Sequence, residues 1–127
     1  PWGKNLIGTI YHPKEIVIDL KFLETLPEKE IRQGLAEMVK HGFLNKDYLN
    51  LLLKEKINEK TILESRRVKE EWIVKDRDAL NFGHTVGHAL EIESGYTLSH
   101  GDAISIGMRV ESLVAGIDNV EILQSFN

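Results

Sequence analysis

The chain has 127 residues, 42% hydrophobic and 28% charged, the balance of a globular domain rather than a disordered or fibrous one. Its formal charge is −4, with Lys and Arg scattered among Asp and Glu, so no basic stripe follows a phosphate backbone and nucleic acid is not an expected partner. With no cysteine, disulfides and thiolate metal sites are excluded, and any metal must be held by His, Asp or Glu.

Residues 15–20, "EIVIDL", are short and β-branched and follow Pro13, so they read as a strand. In "TLPEKE", Thr25 stands three residues before Glu28 with Pro27 near the first turn, the signature of a capping box. A helix over about 27–43 follows, with Ile31, Leu35, Met38 and Val39 as its apolar stripe and Gly42 near its end. Helices are expected next over 47–57, 61–76 and 82–93, the last closed by Gly95. Ser99 and Asp102 form a second capping box, opening a helix that runs to about Val114 before Gly116. The architecture is a mainly α bundle after one short β segment. No apolar run approaches the roughly 20 residues that cross a bilayer and no signal-peptide core stands at the N-terminus, so a cytoplasmic protein without a membrane partner is expected.

The chemistry concentrates in "LNFGHTVGHALE", residues 80–91. At 100° per residue His84, His88 and Glu91 share a narrow arc, with Val86, Ala89 and Leu90 opposite, so the polar arc is expected to face something other than the core. Gly83 and Gly87 each cost up to ~1 kcal/mol of helix stability relative to alanine, which suggests that something comes close to the backbone there. A solvated helix face with two incidental histidines is the bland alternative. Two further residues weigh against it: His100 directly follows an N-cap, and Glu37 lies off the apolar stripe of its helix. One Glu and two His from separate helices would make a zinc site with an open position. Using His84 and His88 together, as zinc peptidases do, is disfavoured because Thr85 stands where that motif needs Glu.

Three cations remain. Lys69 lies within an arc of Ile62, Ser65, Trp72 and Ile73, so its stem is expected to point inward, either snorkelling along Trp72 or held over an anionic ligand. Lys40, three residues beyond Glu37, reads on spacing as its partner in a surface ion pair. Arg77, just before "DALNFGH", could offer a fork to phosphate or carboxylate, although a lone Arg there is usually on the surface.

"GKNLIG", "FLETLPEKEIRQGLAEMVKHG", "SRRVK", "LNFGHTVGHALE" and "LSHGDAISIGM", in this order over nearly the whole chain, closely resemble the 3-dehydroquinate synthase family. They resemble the other sugar-phosphate cyclases less closely and metal-dependent glycerol dehydrogenases remotely. The resemblance implies an NAD-dependent, metal-requiring lyase that turns the seven-carbon phosphate of 3-deoxy-arabino-heptulosonate into 3-dehydroquinate. The steps it implies are transient oxidation, β-elimination of phosphate, reduction and intramolecular aldol closure. It implies a two-domain enzyme, with residues 1–26 the tail end of an α/β NAD-binding domain and 27–127 a helical catalytic domain, and commonly a homodimer.

By position, the resemblance makes Glu37, His84 and His100 the ligands of zinc or cobalt. It makes Lys40, Lys69, Arg77, Asn81, His88 and Asn5 substrate neighbours, and Lys4 with Phe22, Leu23, Glu24 and Thr25 the NAD side. The family's N-terminal nucleotide-binding part, the last stretch of its helical domain and a short acidic loop between Asp76 and Arg77 have no counterpart in these residues. A chain of these residues alone is expected to bind NAD poorly, which keeps a metal-stabilised helical interaction module as the reading from another class. A related cyclase with a different substrate is the alternative among enzymes, and a metal phosphohydrolase is disfavoured because no His-Asp pair is present. Glu91 has no role in this reading.

Overall fold

The computed structural model describes residues 7–9, 11, 13–124 and 126. Among these the chain forms α1 (Glu28–Leu44), α2 (Lys46–Glu55), α3 (Glu59–Lys75), α4 (His84–Glu93), α5 (His100–Val114) and α6 (Val120–Gln124), with 3-10 turns at Leu20–Leu23 and Arg77–Asn81. The mainly α expectation holds, and five of the helices fall where periodicity puts them. The short α6 is an addition that a five-residue segment could not announce by period.

The β segment is not formed. Residues 15–19 carry no strand, and Ile16, Val17 and Ile18 are 52%, 81% and 40% exposed. A strand exists through its ladder, and among the described residues no other strand is available to pair with this one. Asp19 instead caps the first 3-10 turn by accepting the Lys21 N–H.

Helix starts follow side-chain caps in most cases. Asn45 accepts the Tyr48 N–H at the start of α2, and Asn58 and Thr61 form a reciprocal capping box at the start of α3. Ser99 accepts the Asp102 N–H at the start of α5, while the Asp102 carboxylate accepts the Ser99 hydroxyl rather than a backbone N–H. The Thr25 box is absent, because the N-cap of α1 is Pro27, two residues further on, and it has no side-chain cap bond. Glu28 and Glu30 favour that first turn through the helix dipole. Gly42 does not end α1, which runs on to Leu44.

The core lies where α1, α2, α3 and α5 meet: Met38 and Val39 pack with Tyr48, Leu52, Val68, Ile104 and Met108. Within the same layer His41 is 5% exposed, its Nδ1 2.7 Å from the Ser65 Oγ and its Nε2 without a hydrogen-bond partner. Burial, then the charge of Lys40 with a smaller contribution from Lys69, outweigh the attraction of Glu37 and push the imidazole from 6.5 down to about 4. The ring is therefore neutral in the folded chain and takes a proton more readily once unfolded. Its contribution to stability is full above pH 6.5 and is lost as pH falls toward 4, about 2 kcal/mol of it between roughly pH 7 and 5. Urea unfolding at those two pH values should show His41→Gln to be less acid-sensitive than the wild type by about that amount. Equal sensitivity of the two proteins would contradict a buried neutral ring.

Candidate metal centre

The segment "LNFGHTVGH" is set by how α4 begins. Asp76 ends α3 and also caps the 3-10 turn Arg77–Asn81, accepting the Asp78 N–H at 3.1 Å. Gly83 then adopts φ +80, the left-handed region that favours glycine, and α4 starts at His84. Gly83 has no side chain with which to cap the helix, and the cap comes from α5: Glu111 Oε2 accepts the Gly83 N–H at 2.7 Å and Oε1 the Val86 N–H at 3.2 Å. A carboxylate at this end also meets the positive pole of the helix. Sequence reasoning missed Glu111, since nothing local links positions 28 residues apart. Glu111→Ala leaves these donors unpaired and should lower stability by about 1–3 kcal/mol in urea unfolding, with Glu111→Gln losing less. Stability unchanged in the alanine variant would rule out the cap.

The glycines do mark a close approach, and what approaches is α5. A Cβ on Gly87 would stand 2.7 Å from Ile104 Cδ1 and 3.1 Å from the Ala103 carbonyl oxygen, and one on Gly107 would stand 2.0 Å from the Gly83 carbonyl oxygen. Of the polar arc of α4, Glu91 is buried and His84 half-buried toward Glu37 of α1, while the His88 side chain is 57% exposed. Gly83, Gly87 and Glu91 are buried, whereas Ala89 and Ile92 face solvent.

This arrangement brings His84 to α1 and α5. His84 Nε2 lies 3.6 Å and His100 Nε2 3.8 Å from Glu37 Oε1, and one donor atom from each of the three residues falls within 4.8 Å of the others. Glu37 Oε1 is buried without a hydrogen-bond partner, although its side chain is one-third exposed. A carboxylate oxygen without a proton donor, facing two imidazole nitrogens, fits a divalent cation, and the donor set is that of catalytic zinc. Each ring has a polar neighbour at its other nitrogen: His84 Nδ1 lies 3.3 Å from the Phe82 carbonyl oxygen, and His100 Nδ1 3.2 Å from Glu91 Oε2.

The charge states suit such a set. Burial works to raise the Glu37 carboxyl, but the hydrogen bond and charge of Lys40, with His84 and His41, hold it below the usual carboxylate range. Burial and then Lys40 lower His84, against the Phe82 carbonyl and Glu37. A neutral imidazole keeps the lone pair that a metal takes. Lys40 does pair with Glu37, Nζ to Oε2 at 2.6 Å, yet it is no surface pair, since Lys40 is 3% exposed.

His88 stands beside the trio. Its ring centroid is 5.3 Å from that of His84 and 6.0 Å from that of His100, its Nε2 is 3.9 Å from Glu91 Oε2, and its side chain is 57% exposed. His88, Glu91 and His100 also have donor atoms within 4.8 Å of one another. Lys69 is exposed rather than directed inward; its charge is felt by His41, and the cation over Trp72 is Lys75, 4.4 Å from the ring centroid. Among the described residues no anion pairs with the Lys69 ammonium, so hydration keeps it outside. Arg77 and Asn81 are exposed on the 3-10 turn leading into α4, and neither forms a hydrogen bond or ion pair with the trio among the described residues. Leu23 ends the first 3-10 turn, next to the 77% exposed Phe22 and followed by exposed Glu24 and Thr25. Lys4 and Asn5 lie outside the described residues.

Two family models match successive parts of the chain and meet within α1. Residues 34–124 match the family model of the 3-dehydroquinate synthase C-terminal part, and residues 1–33 that of its N-terminal part. A curated 3-dehydroquinate synthase of Pyrococcus furiosus is 42% identical over 98% of this chain and 43% of its own length. Those of Dictyoglomus thermophilum and Saccharolobus solfataricus are 44% and 45% identical over 89% and 88% of the chain and 37% and 36% of their own lengths. The chain thus spans about two fifths of the length of the curated relatives it matches. With most of its residues under one family model and identities above 40%, the chain belongs to the 3-dehydroquinate synthase family.

Proposed function

We propose that residues 27–127 form the metal- and substrate-binding helical domain of a 3-dehydroquinate synthase, with residues 1–26 the end of its NAD-binding domain. The activity we infer is conversion of 3-deoxy-arabino-heptulosonate 7-phosphate to 3-dehydroquinate and phosphate. The observation that carries this reading is the buried, unpartnered Glu37 Oε1 with the Nε2 atoms of His84 and His100 facing it from α4 and α5. It also rests on relatives that bear this name.

In this reading Glu37, His84 and His100 hold a zinc or cobalt ion, which when bound polarises the substrate oxygen being oxidised. Lys4 and Phe22–Thr25 are assigned to the side of NAD, which would supply hydride acceptance and return when bound. Lys40 keeps Glu37 ionised and, buried at the same place, brings a positive charge to an anionic ligand. Lys69 and Arg77, exposed, offer cations to the phosphate and carboxylate; Asn5 and Asn81 offer hydrogen bonds. His88, half open beside the trio, is assigned to the substrate side, where its Nε2 would hold or pass a proton. The reading carries with it a cytoplasmic homodimer; among the described residues no helix is long and apolar enough to cross a membrane.

The test incubates the intact enzyme, this helical domain together with its NAD-binding domain, with NAD, zinc or cobalt, and the heptulosonate phosphate, following phosphate release and dehydroquinate. Phosphate and dehydroquinate in equal amounts are expected. Tight NAD and metal binding without product from this substrate would move the assignment to another sugar-phosphate cyclase.

A further inference from the structure

Glu91, for which spacing on α4 suggests no role, is the one acid among the described residues that is buried, 6% exposed beneath His88 and His100. Its carboxylate is not directed at the Glu37 side of the site. Oε2 lies 3.2 Å from His100 Nδ1, the nitrogen turned away from Glu37, while His100 Nε2 lies 3.8 Å from Glu37 Oε1. We propose that Glu91 is a positioning residue: it accepts the His100 Nδ1–H, fixes the tautomer that leaves the Nε2 lone pair toward Glu37, and so prepares His100 as a metal ligand.

The chemistry requires something at this place. A neutral imidazole carries one proton on one of two nitrogens, and only the unprotonated nitrogen can bind a metal. His84 settles the matter with a backbone partner, the Phe82 carbonyl, because its ring lies at the first residue of its helix, two residues after that carbonyl. His100 is also the first residue of its helix, but its oriented nitrogen meets a side chain from α4. An anionic acceptor also raises the basicity of the ring it orients. Because α4 is held against α5 at glycines, Glu91 is rigidly placed relative to His100. The nearby His88 Nε2, 3.9 Å from the same oxygen, is too far for a hydrogen bond in this arrangement, so Glu91 serves His100 first.

The inference rests on the metal reading above, and its test separates the two. Long-range 1H–15N spectra of the metal-free chain, at a pH where the rings are neutral, should show His100 protonated at Nδ1 in the wild type and at Nε2 for a substantial fraction in Glu91→Ala. Zinc titration should show one ion per chain in the wild type and about 10–100-fold weaker binding in Glu91→Ala. The near-isosteric Glu91→Gln, which keeps an acceptor but not the charge, should fall between them and guards against misfolding of the alanine variant. An unchanged His100 tautomer, or wild-type zinc affinity in both variants, overturns the positioning role while leaving the metal site in place. Two zinc ions per chain would instead make Glu91 a ligand in a second site with His88 and His100, and would also overturn it. A wild-type chain that binds no zinc overturns the metal reading itself, and with it the role inferred for Glu91.

Discussion

Alanine at His84 or at His100 is expected to abolish stoichiometric metal binding, while alanine at His88 leaves one ion per chain. The expectation follows from where the nitrogens point. His84 and His100 direct Nε2 at the unpartnered Glu37 Oε1 from 3.6 and 3.8 Å, and His88 stands aside with its side chain 57% exposed. Removing one of three ligands should cost more than the roughly 10–100-fold typical of an outer hydrogen-bond partner. Glu37→Gln should behave like the histidine variants, because it keeps the shape but loses the charge that Lys40 maintains. Metal content after dialysis against zinc or cobalt reads the result. The pattern discriminates between the two donor clusters: a site built on His88, Glu91 and His100 would survive His84→Ala and fail in His88→Ala. Retention of a full equivalent of metal by both His84→Ala and Glu37→Gln would remove the assignment.

Much of this site is legible in the sequence because its donors sit at places that local rules identify. His100 follows a cap residue, His84 opens a helix next to a glycine, and Glu37 leaves the apolar stripe of α1. What local rules cannot supply is the partner across space. The wheel isolates His84, His88 and Glu91 as a polar arc facing something other than the core but cannot say what it faces, and here the buried Glu91 carboxylate meets His100 of α5. Glu111 illustrates the same limit, capping a helix from 28 residues away. The strand expected at 15–20 fails for a related reason, since β-branched residues state a preference and a ladder needs a second chain segment. Thr61 closes a capping box from the position usually held by Glu or Gln, and so escapes the sequence signature.

Gly107→Ala is expected to be among the most destabilising single changes in the chain. A Cβ there would lie 2.0 Å from the Gly83 carbonyl oxygen and 2.9 Å from both the Gly83 carbonyl carbon and the Gly87 nitrogen, and all three atoms belong to backbone. No side chain can swing away to make room, so α4 and α5 must separate. Overpacking usually costs about 1–3 kcal/mol where neighbours can yield, and the cost here should lie at or above the top of that range. Gly34 in α1 is the matched control: it is exposed, a Cβ added there meets nothing within 4 Å, and Gly34→Ala should stabilise by up to ~1 kcal/mol through helix propensity. Urea unfolding of the two variants should therefore move in opposite directions. The same separation would draw His84 away from Glu37 and release the Gly83 N–H from Glu111, so any folded Gly107→Ala protein should also bind metal more weakly. If Gly107→Ala unfolds at the wild-type urea concentration, α4 and α5 are not in backbone contact, and the glycines of "FGHTVGH" need another explanation.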